Sequence, residues 1–322
     1  MASRIQQVRF IDTESELLRS PVQLVVDRTS FQAMFQGNLM NETELFTWGP
    51  SGKRASVSVT FDNLGEACDI ILGRWPASNP VGSHYTATRV LPRLLEELDG
   101  LSITYFIEAV NAALYPGQLK ALREAGHEIG LHAWGHENWG RLSRDEKRSN
   151  LARSLAALRS IDMGPVGFRP PGGAMDADSL ALLRENGFTY CSPASGDRRV
   201  RLEEGMVILP FAWRHVDAYL IDPDLGEFRA SNGDRHAPAS ADEWEQILNG
   251  AFDEAVTGRQ HLTVIFHPYL FGADEGLWQV LRRFLHRARA NDDVWFAPCC
   301  EIAEWSKPRL LASMDAGVAP RA

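Results

Sequence analysis

Two histidines four residues apart, His132 and His136, are the side chains in this sequence best suited to bind a metal ion. Their segment, His-Ala-Trp-Gly-His, follows a short strand-like run, so both imidazoles can face one Zn²⁺ if the chain turns directly after the strand. Two histidines that only line a rim would give the same pattern, and this alternative stays open. His127, at a predicted helix-to-strand turn, is interpreted as structural.

Further polar side chains stand where apolar, strand-like runs end. Asp62 and Asn63 follow the first such run, Arg169 ends the fourth, Asp217 follows the sixth and His267 ends the seventh. Taken singly, these residues could cap a helix or close a turn. In a parallel α/β barrel, however, the carboxyl ends of the strands share one face, where catalytic side chains collect. Their common position therefore predicts a site on that face.

The elements that would position these residues alternate between β-rich runs and amphipathic helices. Strands are predicted at 56–61, 101–107, 127–132, 166–169, 188–191, 206–210, 262–267 and 294–297. Helices are predicted at 84–100, 116–126, 143–159, 176–185, 240–256 and 277–290. Two S-x-x-E capping boxes, which begin at Ser143 and Ser240, mark helix starts. The alternation favours an α/β fold whose seven or eight strands, mostly separated by helices, form a parallel sheet that closes into a barrel.

Three parts of the chain fall outside this alternation. Residues 1–50 are expected to form an N-terminal extension that packs on the barrel, with a strand at Val22–Val26. Residues 218–239 are interpreted as a long loop over one rim, and residues 306–322 as a C-terminal tail. The catalytic domain is therefore expected to occupy residues 51–305.

The amino-acid composition limits which binding partners and which cellular compartment we expect for this protein. The 33 basic and 42 acidic residues give a formal net charge of −9, which argues against nucleic acid or an anionic membrane as the main partner. The four cysteines form no C-x-x-C motif, as expected of free thiols in a reducing compartment. The sequence contains neither a run of 18 apolar residues nor a signal peptide, so we expect a cytoplasmic protein with no integral membrane segment. The oligomeric state stays open.

Taken together and in order, five segments resemble the motifs of the polysaccharide deacetylases, which form carbohydrate esterase family 4 and share the NodB-homology domain. These segments are TFDN (60–63), GHEIGLHAWGH (126–136), RPPGG (169–173), LPFAWRHVDAYL (209–220) and VIFHP (264–268). The resemblance covers residues 55–305. It implies a distorted (β/α)-barrel and the metal-assisted hydrolysis of an N-acyl amide on an amino sugar.

The resemblance also implies roles for the polar residues. Asp62 would be the base that takes a proton from water, and Arg169 would hold it in a charge-assisted pair. His267 would protonate the leaving amine, with Asp217 orienting its ring. A backbone N–H near Gly172 would stabilise the oxyanion.

For the metal and the substrate, the resemblance implies a second set of residues. One divalent ion, with Zn²⁺ expected first and Co, Ni, Fe or Mn as alternatives, would be held by His132, His136 and Asn63. The walls for a sugar ring or an acyl methyl group would be tryptophans, with core packing as the alternative for each: Trp134, Trp139 and Trp213.

Three positions depart from the family pattern and keep alternative functions open. Asn63 stands where the family has a metal-binding aspartate. In this altered first motif the sequence is similar to metal-independent amidases that act on cyclic ureides or imides. Ala133, together with the Glu-Asn-Trp that follows His136, is similar to deformylases of lipid-linked amino sugars. Gly172 replaces an aromatic residue, which would widen the site. The expected function is metal-dependent removal of an acetyl or formyl group from a small intracellular amino sugar or glycosylated intermediate. The alternatives are metal-independent hydrolysis of a cyclic amide and a non-catalytic sugar-binding role.

Overall fold

The computed structural model describes residues 47–272 and 274–315. Nine strands are present in this part of the chain: β1 (Ala55–Asp62), β2 (Thr104–Ile107), β3 (Glu128–Leu131), β4 (Gly167–Phe168), β5 (Tyr190–Cys191), β6 (Arg201–Glu203), β7 (Met206–Ile208), β8 (His261–Phe266) and β9 (Val294–Phe296). Eight of them coincide with predicted strands. The predicted N-terminal extension, including the strand at Val22–Val26, lies outside the described residues except at its last positions.

The α-helices lie mostly between successive strands. They are α1 (Ala67–Ile71), α2 (Leu91–Glu97), α3 (Asn111–Leu114), α4 (Pro116–Glu124), α5 (Arg144–Arg159), α6 (Ala177–Glu185), α7 (Asp217–Ile221), α8 (Gly226–Ser231), α9 (Ala241–Gly258), α10 (Pro268–Phe271), α11 (Glu275–Ala290) and α12 (Cys299–Asp315). Both predicted capping boxes are present, at the starts of α5 and α9. No helix in the described ranges is long and apolar enough to cross a bilayer.

All nine strands form one curled sheet in the order β6-β7-β5-β4-β3-β2-β1-β8, and β9 pairs with β1. Every pair is parallel except β6 with β7. A parallel bridge between Val216 and Ile265 joins the segment after β7 to β8, so the two sides of the sheet approach each other. The predicted distorted (β/α)-barrel is confirmed, and the carboxyl ends of its parallel strands lie on one face.

The strand β6 was not predicted from the sequence. It pairs with β7 through a two-residue turn in which Glu204 and Gly205 have φ values of 49° and 78°. Two consecutive residues with positive φ form the type I′ turn that suits the twist of a hairpin. The Glu204-Gly205 pair is therefore the sequence feature that could have indicated this hairpin.

The predicted loop at 218–239 is wrong, because this segment contains α7, α8 and a 3₁₀ turn at Pro223–Leu225. The Arg229 side chain, which is fully buried, holds the segment together. Its guanidinium donates to the carbonyl oxygens of Tyr219, Asp222 and His236 at 2.7–2.8 Å. Such side-chain capping of carbonyl groups leaves no trace in hydrophobic periodicity.

The tail prediction is also wrong for residues 306–315, which continue α12 despite Pro308 inside the helix. Leu310 is 1% exposed and belongs to the same core cluster as Phe106 and Tyr190 of the sheet. Packing against the barrel thus offsets the hydrogen bond that proline removes from the helix. Residues 316–322 lie outside the described part.

Candidate active site

Asp62 and Arg169 form a buried ion pair at the carboxyl ends of β1 and β4. The Arg169 Nη1 atom lies 2.6 Å from Asp62 Oδ1, and the two side chains are 1% and 6% exposed. Nη1 also donates to Thr60 Oγ1 at 2.7 Å, and Nη2 donates to Ser192 Oγ at 3.0 Å. The guanidinium stacks on the Phe106 ring at 4.1 Å. These contacts fix the orientation of the Asp62 carboxylate.

His132 and His136 lie side by side next to this pair. Their ring centroids are 5.0 Å apart, because positive φ values of 60° at Ala133 and 73° at His136 turn the chain directly after β3. His132 Nδ1 lies 2.8 Å from the carbonyl oxygen of Arg169. A carbonyl only accepts, so Nδ1 carries the proton and the Nε2 lone pair is available to a ligand.

Both imidazoles are neutral at physiological pH. Burial lowers the pKa of His132 to about 3, and the Arg169 charge acts in the same direction. Burial likewise lowers the pKa of His136 to about 3, with further contributions from His132 and His267. Neutral imidazole is the form that binds a metal ion.

Asn63 supplies the third predicted donor. It has a φ of 66° and is 8% exposed, and its carboxamide oxygen is buried without a hydrogen-bond partner. The Tyr105 hydroxyl fixes the turn by donating to the Asn63 carbonyl oxygen at 3.1 Å. Within the described ranges no three His, Cys, Asp or Glu side chains form a metal site. One unprotonated ring nitrogen from each histidine and the unpaired amide oxygen of Asn63 are nevertheless suitable ligands for a divalent cation such as Zn²⁺. All three donors are neutral.

His267 and Asp217 form a second buried pair, on the β8 side of the site. His267 Nδ1 lies 2.6 Å from Asp217 Oδ1, and the His267 backbone N–H donates to Asp217 Oδ2 at 2.7 Å. Burial disfavours the imidazolium, but the adjacent Asp217 carboxylate outweighs it, and the pKa of His267 is raised. The ring is therefore held as a proton donor.

The Arg-Pro-Pro-Gly-Gly turn after β4 offers the predicted backbone donor. Gly172 and Gly173 have φ values of 79° and 75°. The Gly172 N–H has no hydrogen-bond partner among the described residues. A Cβ atom on Gly173 would lie 2.6 Å from Ala194 Cβ and 3.0 Å from Trp213 Cζ2. Glycine is thus required for this turn, which leaves one N–H available to an oxyanion.

Comparison with known proteins agrees with this geometry. Residues 50–191 match the family model described as polysaccharide deacetylase. This part of the chain is therefore similar to a polysaccharide deacetylase domain.

Two curated proteins and one solved structure are also similar to this chain. The chain is 34% identical over 109 residues to the peptidoglycan deacetylase-like protein FGM2 of Gibberella zeae, covering 32% of each chain. It is 34% identical over 87 residues to chitin deacetylase 1 of Saccharomyces cerevisiae, covering 27% of this chain and 29% of that one. It thus spans about a third of the length of these relatives. A putative polysaccharide deacetylase from Mycobacterium smegmatis is 27% identical, with a TM-score of 0.70, over 86% of this chain and 96% of that one.

The three tryptophans predicted to form walls of the site differ in accessibility. Trp139 is 0% exposed and donates from Nε1 to Ser179 Oγ at 2.9 Å, so it packs in the core and the prediction for it is wrong. Trp134 is 9% exposed, and the Arg153 guanidinium lies 3.6 Å above its ring. Its substrate contact stays a prediction. Trp213 is half-buried and lies against the Gly173 turn.

Sequence reasoning assigned no role to several residues that support the candidate site from behind. Thr60 and Ser192 hold Arg169. Thr60 belongs to the TFDN segment but was given no role, and Ser192 lies outside the five segments. Glu108 follows β2 directly, so the rule that selected polar residues at strand ends could have found it. Its buried carboxyl group accepts from the Leu64 N–H at 3.2 Å, and burial raises its pKa to about 8.

Proposed function

We propose that this chain is an amide hydrolase that removes an acetyl or formyl group from the nitrogen of an amino sugar or a sugar-bearing small molecule. The observation that carries the proposal is the presence of two separately held proton-transfer groups. Asp62 is fixed by Arg169, and His267 is fixed by Asp217. Hydrolysis of an amide needs both a base for water and an acid for the leaving amine.

The side chains divide this reaction between them. The Asp62 carboxylate takes the proton of the attacking water, and Arg169 keeps that carboxylate oriented. The Gly172 N–H donates to the oxygen of the tetrahedral intermediate. The His267 imidazolium protonates the amine nitrogen as the carbon–nitrogen bond breaks, and Asp217 stabilises the charged ring beforehand.

A divalent metal ion, Zn²⁺ first, is part of the proposal. His132, His136 and Asn63 would hold it, and when bound it would polarise the acyl carbonyl and acidify water. Because all three donors are neutral, we expect this site to retain a metal ion less strongly than a site with a carboxylate ligand would. Asn63→Asp should raise the metal content after dialysis, whereas an unchanged content would place Asn63 outside the ligand set.

Contacts across the mouth of the site support a small substrate rather than internal units of a long polymer. Arg74, after α1, pairs with Asp224 at 2.9 Å, and Tyr85 donates to the Tyr269 carbonyl oxygen at 2.8 Å. The Tyr269 ring itself lies 5.8 Å from the ring of His267. The segment after β1 thus reaches across the end of β8. The cytoplasmic location is proposed together with this substrate class.

The decisive experiment measures acid released from N-acetyl and N-formyl amino sugars. We expect release in the presence of Zn²⁺ or Co²⁺, and a loss of about 10²–10⁴-fold in His267→Gln. The control is His286→Gln, which changes an exposed imidazole on α11. No acid from any substrate, or equal rates in wild type and His267→Gln, would refute the proposal.

One observation favours a second candidate, the metal-independent hydrolysis of a cyclic amide or ureide. The described residues hold no group of three His, Cys, Asp or Glu ligands, and Asn63 is uncharged. This candidate predicts ring opening that survives strong chelation. Loss of all activity on chelation, with recovery on adding Zn²⁺, would exclude it. A non-catalytic sugar-binding role would instead leave every amide intact.

A further inference from the structure

The carboxamide of Asn138 lies against the glycine turn of the proposed active site. A Cβ atom placed on Gly172 would lie 3.3 Å from Asn138 Oδ1 and 3.5 Å from Asn138 Nδ2. Gly172 is the residue whose free N–H would receive the oxyanion. The space that a side chain at position 172 would enter is therefore bounded by a polar amide.

The backbone around Asn138 is anchored to this turn. The Trp139 N–H donates to the Pro171 carbonyl oxygen at 3.2 Å, and the Arg141 N–H donates to the Asn138 carbonyl oxygen at 3.0 Å. The buried Trp139 ring packs on Phe168 of β4, with 4.7 Å between the ring centroids. Because these contacts fix the chain on the carboxyl side of Asn138, its position is set before any ligand binds.

The fold makes no use of the Asn138 carboxamide. The residue is the N-cap of the 3₁₀ turn Trp139–Arg141, a position where an asparagine oxygen usually accepts from a backbone N–H of the first turn. Here the side chain makes no such bond, and it has no hydrogen-bond partner among the described residues. Since Asn138 is exposed, one acceptor oxygen and two N–H donors are accessible at the edge of the site.

Glycines leave the approach to this amide open. A Cβ atom on Gly140 would lie 3.8 Å from Asn138 Oδ1, and Gly172 faces the same amide group. Neither residue has a side chain that could cover the carboxamide. A polar group of a ligand bound at the glycine turn can therefore reach it.

A neutral carboxamide selects a neutral hydrogen-bonding group. It has no charge to offset the desolvation of a carboxylate, a phosphate or an amine, whereas a hydroxyl group can accept from Nδ2 or donate to Oδ1. With the acyl oxygen at the Gly172 N–H, an acetyl or formyl group itself presents only methyl or hydrogen beyond its carbonyl. The next group of an amino sugar is the hydroxyl on the ring carbon beside the one that carries the nitrogen.

We propose that Asn138 is a specificity-determining residue that binds this adjacent hydroxyl group of the substrate. The inference rests on the proposed function for the position of the acyl group. It narrows the substrate class to N-acyl amines that carry a free hydroxyl group on the neighbouring carbon. Compounds in which that hydroxyl is missing or blocked are then poor substrates.

Asn138→Leu tests the contact, because it removes the donors and the acceptor and keeps a side chain of similar size. Asn186→Leu is the matched control. Asn186 follows α6 on the opposite face of the barrel, and its Nδ2 donates to the Leu182 carbonyl oxygen at 2.8 Å. The control therefore loses an amide hydrogen bond of the fold without touching the site.

The probes are the methyl glycoside of N-acetylglucosamine and its 3-deoxy analogue. They differ by one hydroxyl, on the carbon next to the one that carries the nitrogen, and the methyl group blocks the other adjacent hydroxyl. Wild type should release acetate from the hydroxylated probe with a kcat/KM at least about tenfold higher than from the deoxy probe. This factor corresponds to one hydrogen bond of about 1.4 kcal/mol.

Asn138→Leu should lower this ratio about tenfold by slowing only the hydroxylated probe, and Asn186→Leu should leave the ratio unchanged. Damage to the fold would slow both probes alike, so the ratio distinguishes a substrate contact from a structural role. The same ratio in wild type and Asn138→Leu, or no preference in wild type, would overturn the inference.

Binding distinguishes this failure from failure of the proposed function. The dissociation constants of both probes are measured by ligand-observed NMR with His267→Gln, alone and combined with Asn138→Leu. If acetate is released but Asn138→Leu keeps the ratio, the hydrolase proposal stands and the role of Asn138 is refuted. If no acetate is released but Asn138→Leu removes a tenfold preference in binding, the role of Asn138 is supported and the hydrolase proposal fails. Equal dissociation constants for the two probes, or no binding at millimolar concentration, would also refute the contact.

Discussion

The buried pair of Asp62 and Arg169 makes a quantitative prediction about stability. The change is Arg169→Met, which keeps an unbranched apolar stem and removes the charged guanidinium group. The Asp62 side chain, which is 6% exposed, would then be left without its cation. Loss of one partner from a buried pair costs about 3–5 kcal/mol, because the remaining charge stays desolvated.

In a chain of this size, about 1 kcal/mol corresponds to about 2 °C in Tm, so Arg169→Met should lower Tm by roughly 6–10 °C. The control is Arg283→Met. Arg283 pairs with Glu245 at 2.5 Å, but its side chain is 49% exposed. Exposed pairs contribute about 0–1 kcal/mol, so Tm should fall by no more than about 2 °C.

Thermal unfolding followed by circular dichroism measures both variants, together with Asp62→Leu and the double variant Asp62→Leu/Arg169→Met. In the double variant no charge is left unpaired, so its Tm should lie above the value expected from adding the two single losses. Strict additivity, or equal losses in Arg169→Met and Arg283→Met, would refute the view that the two side chains act as one desolvated pair.

Three further predictions concern pH and a buried ring. His261 is buried against Ser56 and Thr263, and burial lowers its pKa to about 3. Its own contribution to stability should therefore fall as pH drops below about 6.5, by about 2 kcal/mol at pH 5. His132, His136 and His215 also have lowered pKa values, so His261→Gln should reduce the slope of Tm against pH without removing it, and an unchanged slope would contradict this. Asp217→Asn removes the carboxylate that raises the pKa of His267, so the alkaline limb of the pH–rate profile should move to lower pH; a limb that stays in place would mean that His267 is not the acid. Trp139→Phe deletes the hydrogen bond to Ser179 and should lower stability by about 1 kcal/mol without raising KM, whereas a raised KM at unchanged Tm would mean that the ring contacts substrate.

Much of the fold followed from local patterns in the sequence. Eight strands and both capping boxes were predicted, since alternation, periodicity and helix caps depend on residues only a few positions apart. The position of polar residues at strand ends also singled out Asp62, Arg169, Asp217 and His267. The structure brings them together in two hydrogen-bonded pairs.

Other features depend on contacts between residues far apart in the chain. Trp139 and Trp213 look alike in sequence, but Trp139 is enclosed with Ser179, forty positions away, while Trp213 remains accessible beside Gly173. The order of the 218–239 segment depends on the guanidinium of Arg229, and that of α12 on the barrel beneath Leu310. Burial and long-range partners decide these cases, and both arise only when the sheet curls and brings distant segments into contact.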